Sequence, residues 1–160
     1  MNLIAVEINK EKGFISVRNN GKGIPIQVHK EHKVWLPELI FGHLLTSSNY
    51  NDNQKKVTGG RNGFGAKLAN IYSNKFIVET VDRKSGKSYK QVFRKNMSEK
   101  EEPIIQSASA NDEYTSITFY PDFKRFKMSE FEDDIISLMK KRVYDIAGVT
   151  PASVRVKLNG

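Results

Sequence analysis

No cysteine occurs in these 160 residues, which excludes a disulfide framework and any thiolate-held zinc centre and fits a reducing compartment. No apolar run approaches the ~18 residues that a bilayer-crossing helix needs, and Met1-Asn2-Leu3 lacks the charged start of a secretory signal. No membrane partner is expected. Internal repeats and low-complexity tracts are absent as well. Acidic residues fall short of basic ones, 18 against 26, and the formal net charge is +8. That balance favours polyanionic partners such as nucleotide or nucleic acid, although a basic surface is also simply a well-solvated one. With 38% hydrophobic and 28% charged residues, the chain suits a single folded domain with a real core.

What is present is concentrated in Thr58-Gly59-Gly60-Arg61-Asn62-Gly63-Phe64-Gly65-Ala66-Lys67-Leu68. Glycine lets a backbone approach a ligand closely and take φ > 0 at little steric cost. The stretch runs directly into a helical pattern with Leu68, Ile71 and Tyr72 on one face. A helix starting there points its unpaired N–H groups and positive dipole end into the loop, an arrangement suited to a polyphosphate. Lys67 adds a charge near the helix start. The known phosphate patterns do not fit. Gly60 to Gly65 has Walker A spacing, but Ala66 stands where that motif has its lysine and Lys67 where it has its hydroxyl. The dinucleotide pattern fails because Leu68 occupies the third glycine position. A helix-entry loop that only needs tight packing is the alternative.

Upstream, residues 3 to 9 alternate as a half-buried strand, Lys10 to Gly13 form its turn, and Phe14 to Arg18 return as a second strand. The hairpin delivers the chain into Asn19-Asn20-Gly21-Lys22-Gly23-Ile24-Pro25. Here an amide can donate and accept hydrogen bonds beside an open-walled loop, or merely serve turn chemistry. His29 and His32 form a spaced pair with no third ligand evident. Trp35 to Gly42 reads as a short helix with Pro37 in its first turn and Glu38 complementing its dipole. Thr46-Ser47-Ser48-Asn49-Tyr50 offers hydroxyls and an amide to ribose or phosphate, or to solvent, and residues 46 to 65 read as a flap.

Downstream, a helix is expected over Ala66 to Ser73, and strands over Phe76 to Val81, Ser88 to Phe93 and Tyr114 to Tyr120. Arg94 to Glu113 reads as loop with a strand fragment at Ile104-Ile105. Ser129 to Glu132 reads as a capping box. It opens a helix to about Ile146, ended by Gly148, whose Phe131, Ile135, Leu138, Met139 and Ile146 face the core. Val154 to Leu158 begins a last strand.

Taken in order, Asn19 to Pro25, Pro37 to Gly42, Leu44 to Tyr50 and Thr58 to Lys67, with Tyr144-Asp145-Ile146-Ala147-Gly148 near the end, closely resemble the ATPase domain of eukaryotic-type DNA topoisomerase II, within the GHKL group (gyrase, heat-shock chaperone, histidine kinase, MutL). The resemblance covers nearly the whole chain. It implies an α+β fold: a two-layer α/β sandwich of the GHKL (Bergerat) type, with a mixed, mostly antiparallel sheet and helices on one face. Residues 1–148 would be the ATP-binding core and 149–160 the start of a transducer domain.

Carried over by position, the resemblance puts Asn19 where most of the group has an aspartate reading the adenine amino group, with Gly21 and Gly23 giving the base room. Ser47, Ser48 and Asn49 would hold ribose and phosphate oxygens. Gly60, Arg61, Asn62, Gly63, Phe64, Gly65, Ala66 and Lys67 would wrap the triphosphate, and Thr115 would sit at the back of the adenine pocket. ATP and Mg2+ are the implied cofactors, and double-stranded DNA and a second subunit the implied partners of a nuclear enzyme. The catalytic glutamate and the magnesium-binding asparagine are expected upstream of Met1, and the switch lysine beyond Gly160. By that expectation this stretch alone turns ATP over poorly, since losing a general base typically costs ~10²–10⁴ in rate. The rival reading is a non-enzymatic basic module that binds DNA or a partner.

Overall fold

The computed structural model describes residues 1–44, 63–109 and 113–160. Two alternating segments form the first hairpin, β1 (Leu3–Asn9) and β2 (Phe14–Asn20). Two short helices follow, α1 (Leu36–Gly42) and α2 (Gly65–Ile71). The second hairpin is β3 (Ser73–Asp82) and β4 (Lys87–Arg94), edged by the short β5 (Glu99–Lys100) and β6 (Ile104–Ser107). The chain ends with β7 (Tyr114–Pro121), α3 (Asp133–Val149) and β8 (Arg155–Leu158). All eight strands share one sheet in the order β5-β4-β3-β7-β2-β1-β8, with β6 also on β4. Among the described residues every strand pairing is antiparallel except β1 with β8. The mixed, mostly antiparallel sheet that the family resemblance implies is present.

Residues directly opposite one another in antiparallel strands share a face, so the registers define three rows on the helix side. The first is Ile8–Ile15–Phe119–Phe76–Phe93, and the second Val6–Val17–Ile117–Val78–Gln91. The third is Ile4–Asn19–Thr115–Thr80–Tyr89. The layer thus passes from aromatic and aliphatic to polar along the strands. Helices α1 and α2 cover the β3–β4 side, where Phe41 packs on Phe76, Val78 and Phe93. Helix α3 covers the other side, where Ile135 and Met139 pack against Ile8, Ile15 and Phe131. Phe119 touches both clusters and joins them into one core. Burying Phe76 fully stabilises by roughly 1.5–3 kcal/mol over leaving it exposed.

Beside α3 the layer is open. A groove of about 450 Å³ runs between the helix and the sheet, lined by Ile4, Val6, Val17, Val143, Ile146 and Val156 among others. At the sheet edge β8 is prolonged by a side chain: the Asn159 amide accepts from the Ile8 N–H at 2.8 Å and donates to the Ile8 carbonyl at 3.3 Å.

Several local expectations change. Ser129 to Glu132 make no capping box: Glu132 is the N-cap, the helix starts at Asp133, and no side chain caps it. Burial decides that segment instead. Phe131 is 3% exposed and meets Phe123 edge-on with centroids 4.9 Å apart, while Asp133 and Asp134 supply negative charge to the first turn. Gly148 does not end α3, which continues to Val149. Pro151 stops it by forcing Thr150 into extended backbone, φ −81° and ψ 148°. Leu138 and Ile146 are exposed rather than core. The predicted helix over Ala66 to Ser73 ends at Ile71, and β3 begins at Ser73.

Candidate functional site

The polar third row ends beside the loop that follows β2. Gly21, with φ +117°, turns the chain there in a conformation that favours glycine, and its N–H donates to the Glu113 carbonyl at 3.2 Å. Gly23 is required for contact. A Cβ on it would stand 1.9 Å from the Val81 carbonyl oxygen, so the loop lies directly on β3. Two β3 side chains hold it there. The Thr80 hydroxyl accepts from the Ile24 N–H at 3.0 Å and donates to the Tyr114 carbonyl at 2.9 Å. The Asp82 carboxylate accepts from the Ile26 N–H at 3.3 Å and the Lys84 N–H at 3.0 Å. Burial pushes that carboxyl up, but the bonds from Ser85 and from these amides outweigh it and hold it below its usual value.

Asn19 and Thr115 are direct partners across β2 and β7, on the face where Thr80 meets Thr115. Among the described residues the Asn19 amide donates only a long 3.4 Å bond, to the Asn20 carbonyl. Asn20 has different work: its side-chain oxygen accepts from the Asn2 and Leu3 N–H groups at 2.9 and 2.8 Å. The two asparagines therefore sit at the end of a strand rather than in a turn, one tying down the N-terminus and the other facing the helix layer.

Helix α2 buries the side opposite to the one its apolar residues suggest. Leu68 and Tyr72 are exposed, whereas Lys67 and Asn70 are buried. The reason is polar: the Asn70 amide donates at 3.0 Å to the Phe41 carbonyl, one of the unpaired acceptors of α1's last turn. Its own side-chain oxygen is buried without a partner among the described residues. Lys67 is 3% exposed. Its ammonium donates to the Gly63 carbonyl at 3.0 Å, and no carboxylate lies within ion-pair distance among the described residues. Burial pushes its pKa down. A buried cation with no counter-anion among the described residues is the chemistry that would accept a phosphate. Gly63, with φ +66°, makes the entry turn, and a Cβ on Gly65 would meet no atom within 4 Å.

No protein-family model matches the chain. The probable DNA topoisomerase 2 of Dictyostelium discoideum is 62% identical over 159 residues, 99% of this chain and 10% of that protein. DNA topoisomerase 2 of Arabidopsis thaliana is 55% identical over 160 residues, 100% of this chain and 11% of that protein. The crystal structure of the ATPase region of Saccharomyces cerevisiae topoisomerase II superposes with a TM-score of 0.95 at 51% identity, covering 99% of this chain and 42% of that one. This chain is homologous to part of the ATPase region of eukaryotic topoisomerase II. The ATPase and transducer domains of Balamuthia mandrillaris topoisomerase II match likewise, with a TM-score of 0.93 at 50% identity, covering 99% of this chain and 41% of that one. The chain spans about a tenth of the length of the curated relatives it matches.

Of the residues singled out in the topoisomerase-like motifs, Asn19, Gly21, Gly23 and Thr115 converge at the polar end of the sheet. Gly63, Phe64, Gly65, Ala66 and Lys67 form the turn into α2 and its first positions. Ser47, Ser48, Asn49, Gly60, Arg61 and Asn62 lie outside the described residues. Sequence reasoning passed over Thr80, Asp82 and Asn70. Thr80 and Asp82 continue the row of Phe76 and Val78 on the inward face of a strand, a place where apolar residues are expected, and that mismatch was the available signal.

Proposed function

We propose that this chain binds ATP as the nucleotide-binding core of a type II DNA topoisomerase. In the whole protein, a nuclear homodimer, ATP binding and hydrolysis would drive the passage of one DNA duplex through another. The observation that carries the proposal is the polar row ending in Asn19, Thr115 and Thr80, next to a loop that Gly23 lets lie flat on the sheet. An amide at Asn19 can accept the hydrogen bond of an adenine amino group through its carbonyl, and Thr115 backs the same pocket. Lys67 supplies positive charge for phosphate, and the chain turns at Gly63 so that Gly65, Ala66 and the residues before them can approach it. Ser47, Ser48, Asn49, Gly60, Arg61 and Asn62 complete the contacts in this reading. ATP, when bound, supplies the polyphosphate that the buried ammonium lacks. Magnesium finds no gathered carboxylates beside Lys67 among the described residues, and its ligands would include the phosphate oxygens themselves.

The test is titration of this chain with a fluorescent non-hydrolysable ATP analogue, beside Asn19→Ala. Saturable binding that weakens about tenfold or more in the variant, with lost preference for adenine over guanine, is expected; a tenfold loss is ~1.4 kcal/mol. Equal affinity in parent and variant overturns the assignment of the base to Asn19.

A further inference from the structure

The tight turn between the Gly23 loop and α1 carries a feature that the nucleotide reading does not use. Val28 and Trp35 form an antiparallel bridge. The Leu36 N–H donates to the Gln27 carbonyl at 2.9 Å, the His29 N–H to Val34 at 2.8 Å and the Lys33 N–H to His29 at 3.0 Å. Lys33 closes the turn with φ +55°. The five-residue span from His29 to Lys33 is therefore one helix-like turn clasped at its base. Spacing of i and i+3 puts His29 and His32 on one face of such a turn, with ring centroids 4.9 Å apart and planes tilted by 45°. Glu31, between them, brings its carboxylate to the same place. One ligand atom from each of His29, Glu31 and His32 lies within 4.8 Å of the other two.

We propose that the His29–Glu31–His32 turn is a binding site for a borderline divalent transition-metal ion, zinc foremost, held by two imidazoles and one carboxylate with water completing the tetrahedron. Three atoms so spaced can all lie within about 2.8 Å of one central ion, against ~2.0–2.2 Å for zinc–imidazole and zinc–carboxylate bonds. Less than 1 Å of side-chain movement per ligand closes that gap, and both Glu31 and His32 are exposed and carry no ion pair among the described residues. Imidazole with carboxylate suits zinc, copper or nickel rather than calcium or magnesium. Lys30 and Lys33 flank the ligands in the sequence, and their charge weakens the binding of a cation.

Binding changes the local hydrogen bonds in a way that can be followed. The His29 Nδ1 accepts from the N–H groups of Glu31 and His32, each at a long 3.3 Å. If Nδ1 takes the ion, those bonds are lost directly. If Nε2 takes it, the proton moves to Nδ1, which can then no longer accept. Either route releases both amides.

The experiment is titration of this chain with zinc chloride, by calorimetry and by amide resonances. One equivalent is expected to bind, with the largest shifts at the Glu31 and His32 amides. His29→Ala with His32→Ala should weaken binding at least tenfold, and Glu31→Gln about tenfold. The inference is overturned by absence of saturable binding, by shifts centred elsewhere in the chain, by an affinity indifferent to the double substitution, or, for the three-ligand site, by one indifferent to Glu31→Gln. Unchanged circular dichroism of the variants keeps loss of ligands distinct from loss of fold. The site is independent of ATP, so failure of either proposal leaves the other standing.

Discussion

Thr80 and Thr115 face each other across β3 and β7 with their hydroxyl oxygens 3.1 Å apart. One of them, Thr80, also accepts from the Ile24 N–H and donates to the Tyr114 carbonyl, so a single buried hydroxyl joins the glycine loop, the third strand and the start of β7. Thr80→Val keeps the shape and removes all three bonds. Leaving a buried donor unsatisfied costs about 1–3 kcal/mol, and the loop that carries Gly21 and Gly23 loses its anchor. A lowered urea midpoint with weakened binding of the ATP analogue is expected. Unchanged stability would mean the loop is held by Asp82 alone.

Gly65→Val separates folding from ligand approach. Beyond its own stretch of helix, no atom of the described residues stands within 4 Å of the position a Cβ would take, and the residue lies at the start of a helix, so the fold should tolerate the branched side chain within about 1 kcal/mol. If phosphates approach the main chain there, the added methyls occupy their space. Thermal unfolding should barely move while analogue affinity drops at least tenfold. Equal affinity would place the phosphates elsewhere.

Lys67→Met should act with opposite signs on two readouts. Among the described residues the buried ammonium donates to the Gly63 carbonyl alone, and burial lowers its pKa. Its charged form therefore opposes folding until a phosphate arrives. Without nucleotide, the methionine variant is expected to melt higher than the parent, and with saturating analogue the order should reverse. A variant that melts lower without nucleotide would show that the charge already has a partner.

Acid should act through Glu38. This carboxylate of α1 is 5% exposed. It accepts from Lys100 at 2.6 Å and Gln91 at 3.0 Å, with His43 standing 3.6 Å away. Burial pushes its pKa up, but those partners outweigh burial and hold it below the usual 4.5. A folded-state value below the unfolded one gives stability that is complete above the unfolded value and lost as pH falls through the folded one. Urea midpoints should be level down to about pH 5 and then fall, since ordinary carboxylates titrate near 4. Glu38→Gln should lose roughly 1–3 kcal/mol at pH 7 and show a shallower acid decline than the parent. Parallel declines would shift the effect to Asp82, whose pKa is also held low.

Much of this was readable from the chain, and the chief exceptions share a cause. Alternation in residues 3 to 9, Phe14 to Arg18 and Tyr114 to Tyr120 comes from burying one face, which is local information; those strands stand where expected, although β2 runs on through Asn20 and β7 through Pro121. The glycine loops were readable because few other residues tolerate such contacts. The row of Asn19, Thr115 and Thr80 was only partly so. The first two came from family resemblance, and Thr80 needed the register of two strand pairs. In α2 the apolar pattern misled, because a polar bond from Asn70 to α1 outranked the exposure of Leu68 and Tyr72. At Ser129 the capping pattern lost to the burial of Phe131. Both are tertiary contacts overriding a local preference, whereas the end of α3 at Val149 was a local signal, Pro151, outranking Gly148.

The pairing of Leu3 with Arg155 and of Val6 with Leu158 has a consequence for how a ribosome makes this protein. The strand Leu3–Asn9 is completed by one that emerges much later, across a loop whose closure entropy grows with the logarithm of its length. Until then the free edge of Leu3–Asn9 shows the nascent chain's neighbours an open row of main-chain donors and acceptors. Adjacent copies on one messenger are thus the competitors for that edge, and slow translation of the codons for Arg155 to Leu158 would lengthen the contest.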